Sequence, residues 1–450
     1  MKLKYFGTDG IRGTYGSSNM HPAFAFKVGV AVARHVKSNN PAASKIILGK
    51  DTRSSGTKLS DAIIQGIQSE EIQHTFLGIV PTPVVAETVI QNNANMGIMI
   101  TASHNPAQDN GIKLFSSLGT KLPQSVEREI ESLIDAAKDE YQENQIDSID
   151  SISVLDSYLD KHKKILDTGS IENWKIAIDT ANGATCKTTP RLLERLVSKI
   201  YQIGNQPEVD EINAGVGSEY PEKMAKLTRD KNCNIGFAHD GDGDRLVVCD
   251  ETGSIVSGEE ILGILAILLK KEGKLKNNKL VTTLQSNMGL DKSLQSHNIE
   301  VIRTEIGDRH VAESMRQNGL NLGGENSGHY LLSDHSTTGD GMIAALELLQ
   351  RIQKSKRNLS ELRNDITLFP QRTKNLKIAE KKPLETLINL QQSIENANKS
   401  LANNGRILIR YSGTENKLRL LVEANERAVA EKTLQNLLDS ASKDLHILDS

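Results

Sequence analysis

The apolar and polar positions of the chain fall into an outline that occurs three times. Lys45, Lys175 and Lys279 each open a short apolar run, KIILGK, KIAID and KLVTT, and each run passes into a small or polar turn, DTRSSG, TANGAT and LQSNMGL. A run of that length bounded by turn residues predicts a buried strand, and the turn after it can open a helix. The chain then passes in each case through a helical stretch to a second strand: HTFLGIV from His74, SKIYQIG from Ser198 and IEVIRTE from Ile299. A third strand follows, MGIMI (Met96 to Ile100), NIGFA (Asn234 to Ala238) and LNLG (Leu320 to Gly323). Strand, helix, strand succession predicts parallel pairing with crossover helices. The spacing between units varies, so this is a weak repeat with insertions and not a solenoid.

Each third strand runs into a loop dense in polar groups: ITASHNP, HDGDGDR and GENSGH. Ligands of open α/β sheets bind beyond the carboxyl ends of strands. The expected architecture is therefore α/β, with three related units of mixed, largely parallel sheets, each offering one loop to a shared cleft. From about Asn358 the texture changes to LSELRNDITLFPQRTKNLKI, a polar helical stretch, and RILIRYSGTENKLRLLVEA, where two strands flank a Ser/Gly/Thr loop. That pattern predicts a smaller α+β C-terminal domain. With the polar segment from Asp139 to Asp156 as the first boundary, the expected division is 1–153, 154–254, 255–368 and 369–450.

Composition narrows the partners. A chain of 450 residues exceeds one small core, since domains run to about 100–150 residues. Lys+Arg 54 nearly balance Asp+Glu 57, for a net charge of -3, which offers no electrostatic footprint for nucleic acid or an anionic membrane. The apolar run from Ile261 to Leu269 is far shorter than the roughly 20 residues that cross a bilayer and predicts a buried helix. MKLKYFGTDGIRG shows no apolar signal core, and Cys186, Cys233 and Cys249 form no CxxC pair. Both features fit reduced thiols and a cytoplasmic location.

The densest chemistry is DGDGDR. Asp240, Asp242 and Asp244 alternate with Gly241 and Gly243; three carboxylates so close repel unless a cation sits among them, and glycine lets the backbone bend to bring them together. A hard divalent ion, Mg²⁺, is the expected occupant. The rival is an EF-hand loop, with Glu251 at its twelfth position, but Arg245 stands where that loop needs glycine and Leu246 to Cys249 reads as a strand. Mg²⁺ is usually completed by phosphate oxygens, yet no GxxxxGK[ST] or strand-linked GxGxxG loop is present. RYSGTENKLR could instead hold a phosphate through Ser412, Gly413, Thr414, Arg410 and Arg419, or be an ordinary hairpin.

Ser103 has several readings: hydrolase nucleophile, metal-bound hydroxyl, phosphate carrier or strand cap. No GxSxG elbow surrounds it, and neighbouring side chains such as Ser103 and His104 point apart on an extended segment. A phosphoserine would bring about two negative charges to a three-Asp cation site, which favours the carrier. Lys113 is either a solvated charge or a cation that assists transfer at the serine. Glu325, Ser327 and His329 form a donor and acceptor set suited to sugar hydroxyls, although a lone His is commonly a satisfied core residue.

Together KYFGTDGIRG, KDTRSSG, PTPVVA, TASHNP, DGDGDR, GDRHV, GGENSGH, DHSTTGDG and RYSGTE resemble the α-D-phosphohexomutase superfamily along essentially the whole chain, and most closely its bacterial phosphoglucosamine branch. The resemblance implies four domains around a central cleft, a phosphoserine at Ser103, and Mg²⁺ held by Ser103, Asp240, Asp242 and Asp244. It implies that Arg12, Lys113 and His329 serve phosphoryl transfer and acid/base work. Arg245, Glu325 and Ser327 would contact the substrate, and Arg410, Ser412, Gly413, Thr414 and Arg419 would hold the phosphate that is not transferred. The reaction implied is interconversion of glucosamine 6-phosphate and glucosamine 1-phosphate through a sugar 1,6-bisphosphate, supplying amino-sugar precursors of the cell wall. The alternative is a phosphoglucomutase or phosphomannomutase; a water-consuming phosphomonoesterase and a Ca²⁺ module stand further off. The expected partners are sugar phosphates, not nucleic acid or membrane, with a homodimer left open. The family's loop carries Gln between the Glu and the Ser where this chain has Asn326, a departure that bears on how the C2 substituent is chosen.

Overall fold

Burial of the first and third apolar runs of each unit, with half-buried second runs beside them, builds the sheets of this computed structural model, which describes residues 3–39, 44–143, 152–167, 171–412 and 415–448. The first sheet contains β1 (Phe6–Gly7), β2 (Gly10–Thr14), β3 (Lys45–Lys50), β4 (Gln73–Ile79), β5 (Met96–Ile100) and β6 (Asp109–Ser116), in the order β1-β2-β6-β5-β3-β4. The second contains β7 (Lys175–Asp179), β8 (Lys199–Ile203), β9 (Ile235–His239), β10 (Leu246–Cys249) and β11 (Ile255–Val256), ordered β11-β10-β9-β7-β8. The third has β12 (Lys279–Thr283), β13 (Glu300–Thr304), β14 (Leu322–Gly324) and β15 (Tyr330–Leu332), ordered β13-β12-β14-β15.

The three orders contain one plan. The second strand of each unit flanks the first, the first flanks the third, and a fourth strand returns beside the third: β4-β3-β5-β6, β8-β7-β9-β10 and β13-β12-β14-β15. β3 runs parallel to β4 and β5, β7 to β8 and β9, and β12 to β14. The returning strands β6, β10 and β15 are antiparallel to their neighbours β5, β9 and β14. Each chemical loop is therefore the turn of a hairpin at the carboxyl end of a third strand, which explains why all three loops can present side chains in the same sense.

The crossovers are less uniform than the apolar pattern predicts. In the first unit the helix Ser55–Ser69 spans the connection. In the second the expected helical stretch reduces to a 3₁₀ turn, Ala184–Lys187, and the helix Thr189–Leu193. In the third the helix Met288–Ser296 is present, but it falls in a different compact body. The chain divides into Met1–Leu284 with Val301–Arg363, and Gln285–Glu300 with Asn364–Ser450. The apolar run from Ile261 to Leu269 lies in the helix Gly258–Lys271 and is buried there, started by a capping box in which Ser257 and Glu260 satisfy each other's backbone N–H.

The C-terminal body has its own core of Leu390, Leu418, Leu420, Val422 and Leu437. Its sheet holds β16 (Gln371–Lys377), β17 (Gly405–Tyr411) and β18 (Lys417–Ala424) in the order β16-β18-β17, all antiparallel. Two strands were expected from the sequence, and among the described residues three are present. The extra one, β16, reads QRTKNLK and buries only Leu376, so it lacks the alternation by which a half-buried strand is recognised. Within the polar segment expected to close the first unit, residues 144–151 lie outside the described residues. Among the described residues no helix is long and apolar enough to cross a membrane.

Candidate active site

The strand β5 delivers Thr101, Ala102 and Ser103 to the end of the first sheet, and Ser103 is fully buried with a left-handed φ of 55°. Its Oγ donates to Asp240 Oδ2 at 2.6 Å and lies 3.3 Å from His104 Nδ1. The latter contact corrects the expectation that the two neighbours point apart. That expectation holds for extended backbone, whereas positive φ turns the chain between them. Burial, with Arg245 and Arg12 nearby, pushes His104 down to about 4, so its ring is neutral near pH 7.

On the second sheet, β9 ends at His239 and the chain turns tightly through Asp240 to Arg245 before β10. Gly243 takes φ 75°, and a Cβ there would meet Thr185 Cγ2 at 2.5 Å, so the turn requires glycine. Asp240, Asp242 and Asp244 are buried and each offers one carboxylate oxygen, all within 4.8 Å of one another. Burial and the two neighbouring carboxylates raise Asp240 well above the ordinary range. Asp242 Oδ1 and Asp244 Oδ1 are buried without a hydrogen-bond partner. Orphaned buried carboxylate oxygens carry a large desolvation cost that a cation removes, so the donor set fits a hard divalent metal. Glu251 turns away and bonds Ser360, and Leu246 to Cys249 form β10; this loop is not an EF-hand.

Lys113 on β6 is 2 % exposed and donates to Asp242 Oδ2 and Asp244 Oδ2, each at 2.8 Å. Of its two readings the solvated charge is excluded. Burial opposes its charge, but Asp242, Asp244 and Asp9 hold it well above its usual value. From Lys113 a closed ring of alternating charge can be followed: Asp9 at 3.2 Å, Lys121 at 2.5 Å from Asp9, and Asp308 at 2.7 Å from Lys121. It continues to His329 Nε2, 3.3 Å from Asp308, and back to Asp244, 3.7 Å from His329 Nδ1. Arg12 joins it through Asp9 and reaches Asn105 at 3.4 Å. Burial would lower His329, yet Asp244 and Asp308 raise it to about 9, so its imidazole is cationic at neutral pH.

Asp9, Lys121 and Asp308 were not singled out from the sequence. Asp9 and Asp308 stand in the quoted motifs KYFGTDGIRG and GDRHV, which were the available signal; Lys121 in GTKL had none. Arg245, whose Nε is buried without a partner, is held above its usual value by Asp240, Asp244 and Asp9 against the opposing effect of burial. Glu325 accepts from Gly307 N at 3.0 Å, Ser327 is half-buried on the same turn, and Asn326 is exposed.

The remaining predicted residues belong to the C-terminal body. Arg410 on β17 pairs in register with Arg419 on β18. Arg419 Nη2 reaches Ser412 Oγ at 3.4 Å, and its Nε is buried without a partner. Ser412 O accepts from Lys381 Nζ at 2.6 Å. Two guanidinium groups on adjacent strands, with a hydroxyl just beyond the end of β17, suit an anion. Gly413 and Thr414 lie outside the described residues.

Against known families, the phosphoglucomutase/phosphomannomutase α/β/α domains I, II and III match residues 3–141, 156–253 and 257–369, and the C-terminal domain of that family matches 374–440. The chain is 38% identical over 462 residues to a phosphoglucosamine mutase of Syntrophotalea carbinolica, covering 99% of each. It is 39% identical over 454 residues to one of Limosilactobacillus reuteri, covering 99% of this chain and 100% of that one. A crystal structure of a phosphoglucomutase/phosphomannomutase family protein from Burkholderia thailandensis superposes with a TM-score of 0.81 at 20% identity, covering 99% of this chain and 100% of the other.

Proposed function

The chain belongs to the phosphoglucomutase/phosphomannomutase family, and from that premise we propose that it interconverts glucosamine 6-phosphate and glucosamine 1-phosphate through a phosphorylated Ser103 and a sugar 1,6-bisphosphate. The observation that carries the reading is the Ser103 hydroxyl, hydrogen-bonded to Asp240, one of three clustered carboxylates, whose partners Asp242 and Asp244 are bound by Lys113 and, for Asp244, approached by His329. The amino sugar is supported by relatives that are phosphoglucosamine mutases along their whole length.

In the first half-reaction a sugar hydroxyl attacks the phosphorus of phospho-Ser103. The bond from phosphorus to Oγ breaks, a bond to the sugar oxygen forms, and one proton passes from that hydroxyl to the released serine oxygen. Phosphoryl transfer needs positioning and charge neutralisation more than covalent help. Lys113 and His329, both protonated at neutral pH, fit the roles of charge partner and proton donor, with Arg12 and Arg245 adding guanidinium charge. Asp240, Asp242, Asp244 and a phosphoryl oxygen on Ser103 would hold Mg²⁺, which when bound supplies further neutralisation of the transferring group. The bisphosphate then returns its other phosphate to Ser103 by the reverse chemistry, leaving the isomer. Glu325 and Ser327 are proposed to bind sugar hydroxyls. A phosphate-binding role for Arg410, Ser412 and Arg419 rests on the chemistry of their side chains within their own body, and for Gly413 and Thr414 on the Ser-Gly-Thr sequence alone. The division into domains 1–153, 154–254, 255–368 and 369–450 is proposed with it, as is a cytoplasmic location.

The test is a rate comparison across glucosamine, glucose and mannose 6-phosphates, on protein with Ser103 phosphorylation confirmed by intact mass, with Mg²⁺ and a trace of sugar bisphosphate. Glucosamine 6-phosphate should lead in kcat/KM by about 100-fold, the range reached between near-isosteric substituents such as an amine and a hydroxyl. A lead for glucose or mannose phosphate would move the chain to the phosphoglucomutase reading, which Asn326 keeps in view. No isomerisation of any of the three would overturn both.

A further inference from the structure

Arg53, in the KDTRSSG segment, carries none of the roles discussed so far, yet it is fully buried together with Asp51. A guanidinium has five N–H donors in a rigid plane, and every one of them here finds an oxygen. Nε donates to Asp51 Oδ2 at 2.9 Å. Nη1 donates to Pro106 O at 2.5 Å and Asp109 O at 2.8 Å. Nη2 donates to Ser103 O at 3.0 Å and Asn105 O at 2.8 Å. Four of the five acceptors are backbone carbonyls, three in the loop that carries Ser103 and the fourth at Asp109, where β6 begins.

The same loop is gripped twice more. Asp51 Oδ2 accepts from Thr101 Oγ1 at 2.7 Å, and that hydroxyl in turn accepts from Ser103 N at 2.9 Å. From the second unit, Asn213 Nδ2 donates to Ser103 O at 2.8 Å and Asn105 O at 3.0 Å, and a Cβ on Gly241 would come within 2.7 Å of Ser103 O. These contacts act on a residue whose φ of 55° costs a side-chain-bearing residue on the order of 1–2 kcal/mol. Burying an arginine charge is itself expensive unless it is paired and fully bonded. Such a construction is more than a strand-to-loop turn needs, and its focus is the carbonyl of Ser103, whose hydroxyl donates to Asp240 of the metal loop.

We propose that Arg53 is a positioning residue for phosphoryl transfer: its guanidinium, anchored by Asp51, holds the carbonyls of residues 103, 105, 106 and 109 so that Ser103 stays in the left-handed conformation that aims Oγ at the metal loop. The inference rests on the proposed reaction at Ser103. Lysine cannot replace it, because its three tetrahedral donors cannot serve five acceptors in one plane. The role predicts a specific kinetic pattern, since misplacing a reacting group by about 1 Å costs roughly 100-fold while leaving substrate contacts in place.

The experiment measures kcat, KM and melting temperature for Arg53→Lys and Thr101→Val, on full-length protein with Ser103 phosphorylation quantified by intact mass. Single-turnover transfer from phosphorylated Ser103 to the sugar phosphate is followed in parallel. Arg53→Lys should lose about 100-fold in kcat and in single-turnover rate with KM within about 3-fold. Thr101→Val, which removes the acceptor for Ser103 N without changing volume, should show the same split in smaller measure. A folded Arg53→Lys with kcat within about 3-fold of the parent overturns the inference, as does a loss that only tracks the fraction folded. Should Arg53→Lys fail to fold, Thr101→Val decides alone: a kcat loss at constant KM supports the role, and parent-like kcat overturns it. An unsubstituted protein without mutase activity would instead overturn the proposed function.

Discussion

At the scale of single residues, the site is governed by how many charges can be buried and which remain unpaired. The imidazole of His329 is held between Asp244 and Asp308, and Gly339 lies against it: a Cβ there would sit 2.3 Å from Nε2 and 2.6 Å from Cε1. Gly339→Ala must therefore move the ring off one carboxylate. Its kcat should fall roughly 10- to 100-fold, and the melting temperature should fall with the lost ion pair, as steady-state kinetics and calorimetry would report. Asp242 has a buried oxygen without a partner, so Asp242→Asn should weaken Mg²⁺ binding by at least about 10-fold, read by titration calorimetry without substrate. His239, fully buried beneath Gly341, is pushed down to about 4 by desolvation. Its folded value lies below the unfolded one, so its contribution to stability is complete above about 6.5 and is lost as pH falls toward 4. His329 has the opposite sign: raised to about 9, it stabilises below about 6.5 and loses that contribution as pH rises through 9. Urea midpoints measured from pH 4 to pH 9 should show the acid loss, and His239→Gln should make its slope shallower.

At the scale of elements, close backbone approach sets what each helix tolerates. The helices Pro22–Asn39 and Ser55–Ser69 pack through Gly29 and Gly66. A Cβ on Gly29 would lie 2.2 Å from Ile63 O, and one on Gly66 would lie 2.2 Å from Phe26 O. Alanine gains up to about 1 kcal/mol of helix propensity over glycine, but forcing the helices apart costs about 1–3 kcal/mol. Gly66→Ala should consequently destabilise by ~1–2 kcal/mol in a urea titration, and a stabilised variant would show that the helices can separate freely. The elements most legible in the sequence were those buried on both faces, such as β3 and β5, where Ile46 to Leu48 and Ile98 to Ile100 are wholly buried. β16 was not, because an edge strand facing solvent carries polar residues that a loop would also carry.

At the scale of the molecule, two bodies with separate cores share one chain. Unfolding is therefore expected to show more than one calorimetric transition. Leu420→Ala, at a site 1% exposed, should cost about 2–5 kcal/mol and lower one transition while leaving the others; a single transition moving as a whole would contradict this. The C-terminal body also shows where local pattern stops being informative. The helix Met288–Ser296 follows β12 in sequence and was assigned with it, but Asn287 donates to Phe369 O at 2.9 Å and Met288 N to Glu423 at 2.8 Å, so it is bound to residues far along the chain. What the sequence by itself determined is built from local patterns: the strand runs and their threefold recurrence, Ser103 at the end of a strand, and the three aspartates at alternate positions, each legible within a few residues. Tertiary structure alone decided which charges meet them. Lys113 reaches Asp244 across 131 residues and Lys121 reaches Asp308 across 187, and a pairing over such separations leaves no periodicity in the chain, since it is set by how three sheets bring their loops together and not by the spacing within any of them.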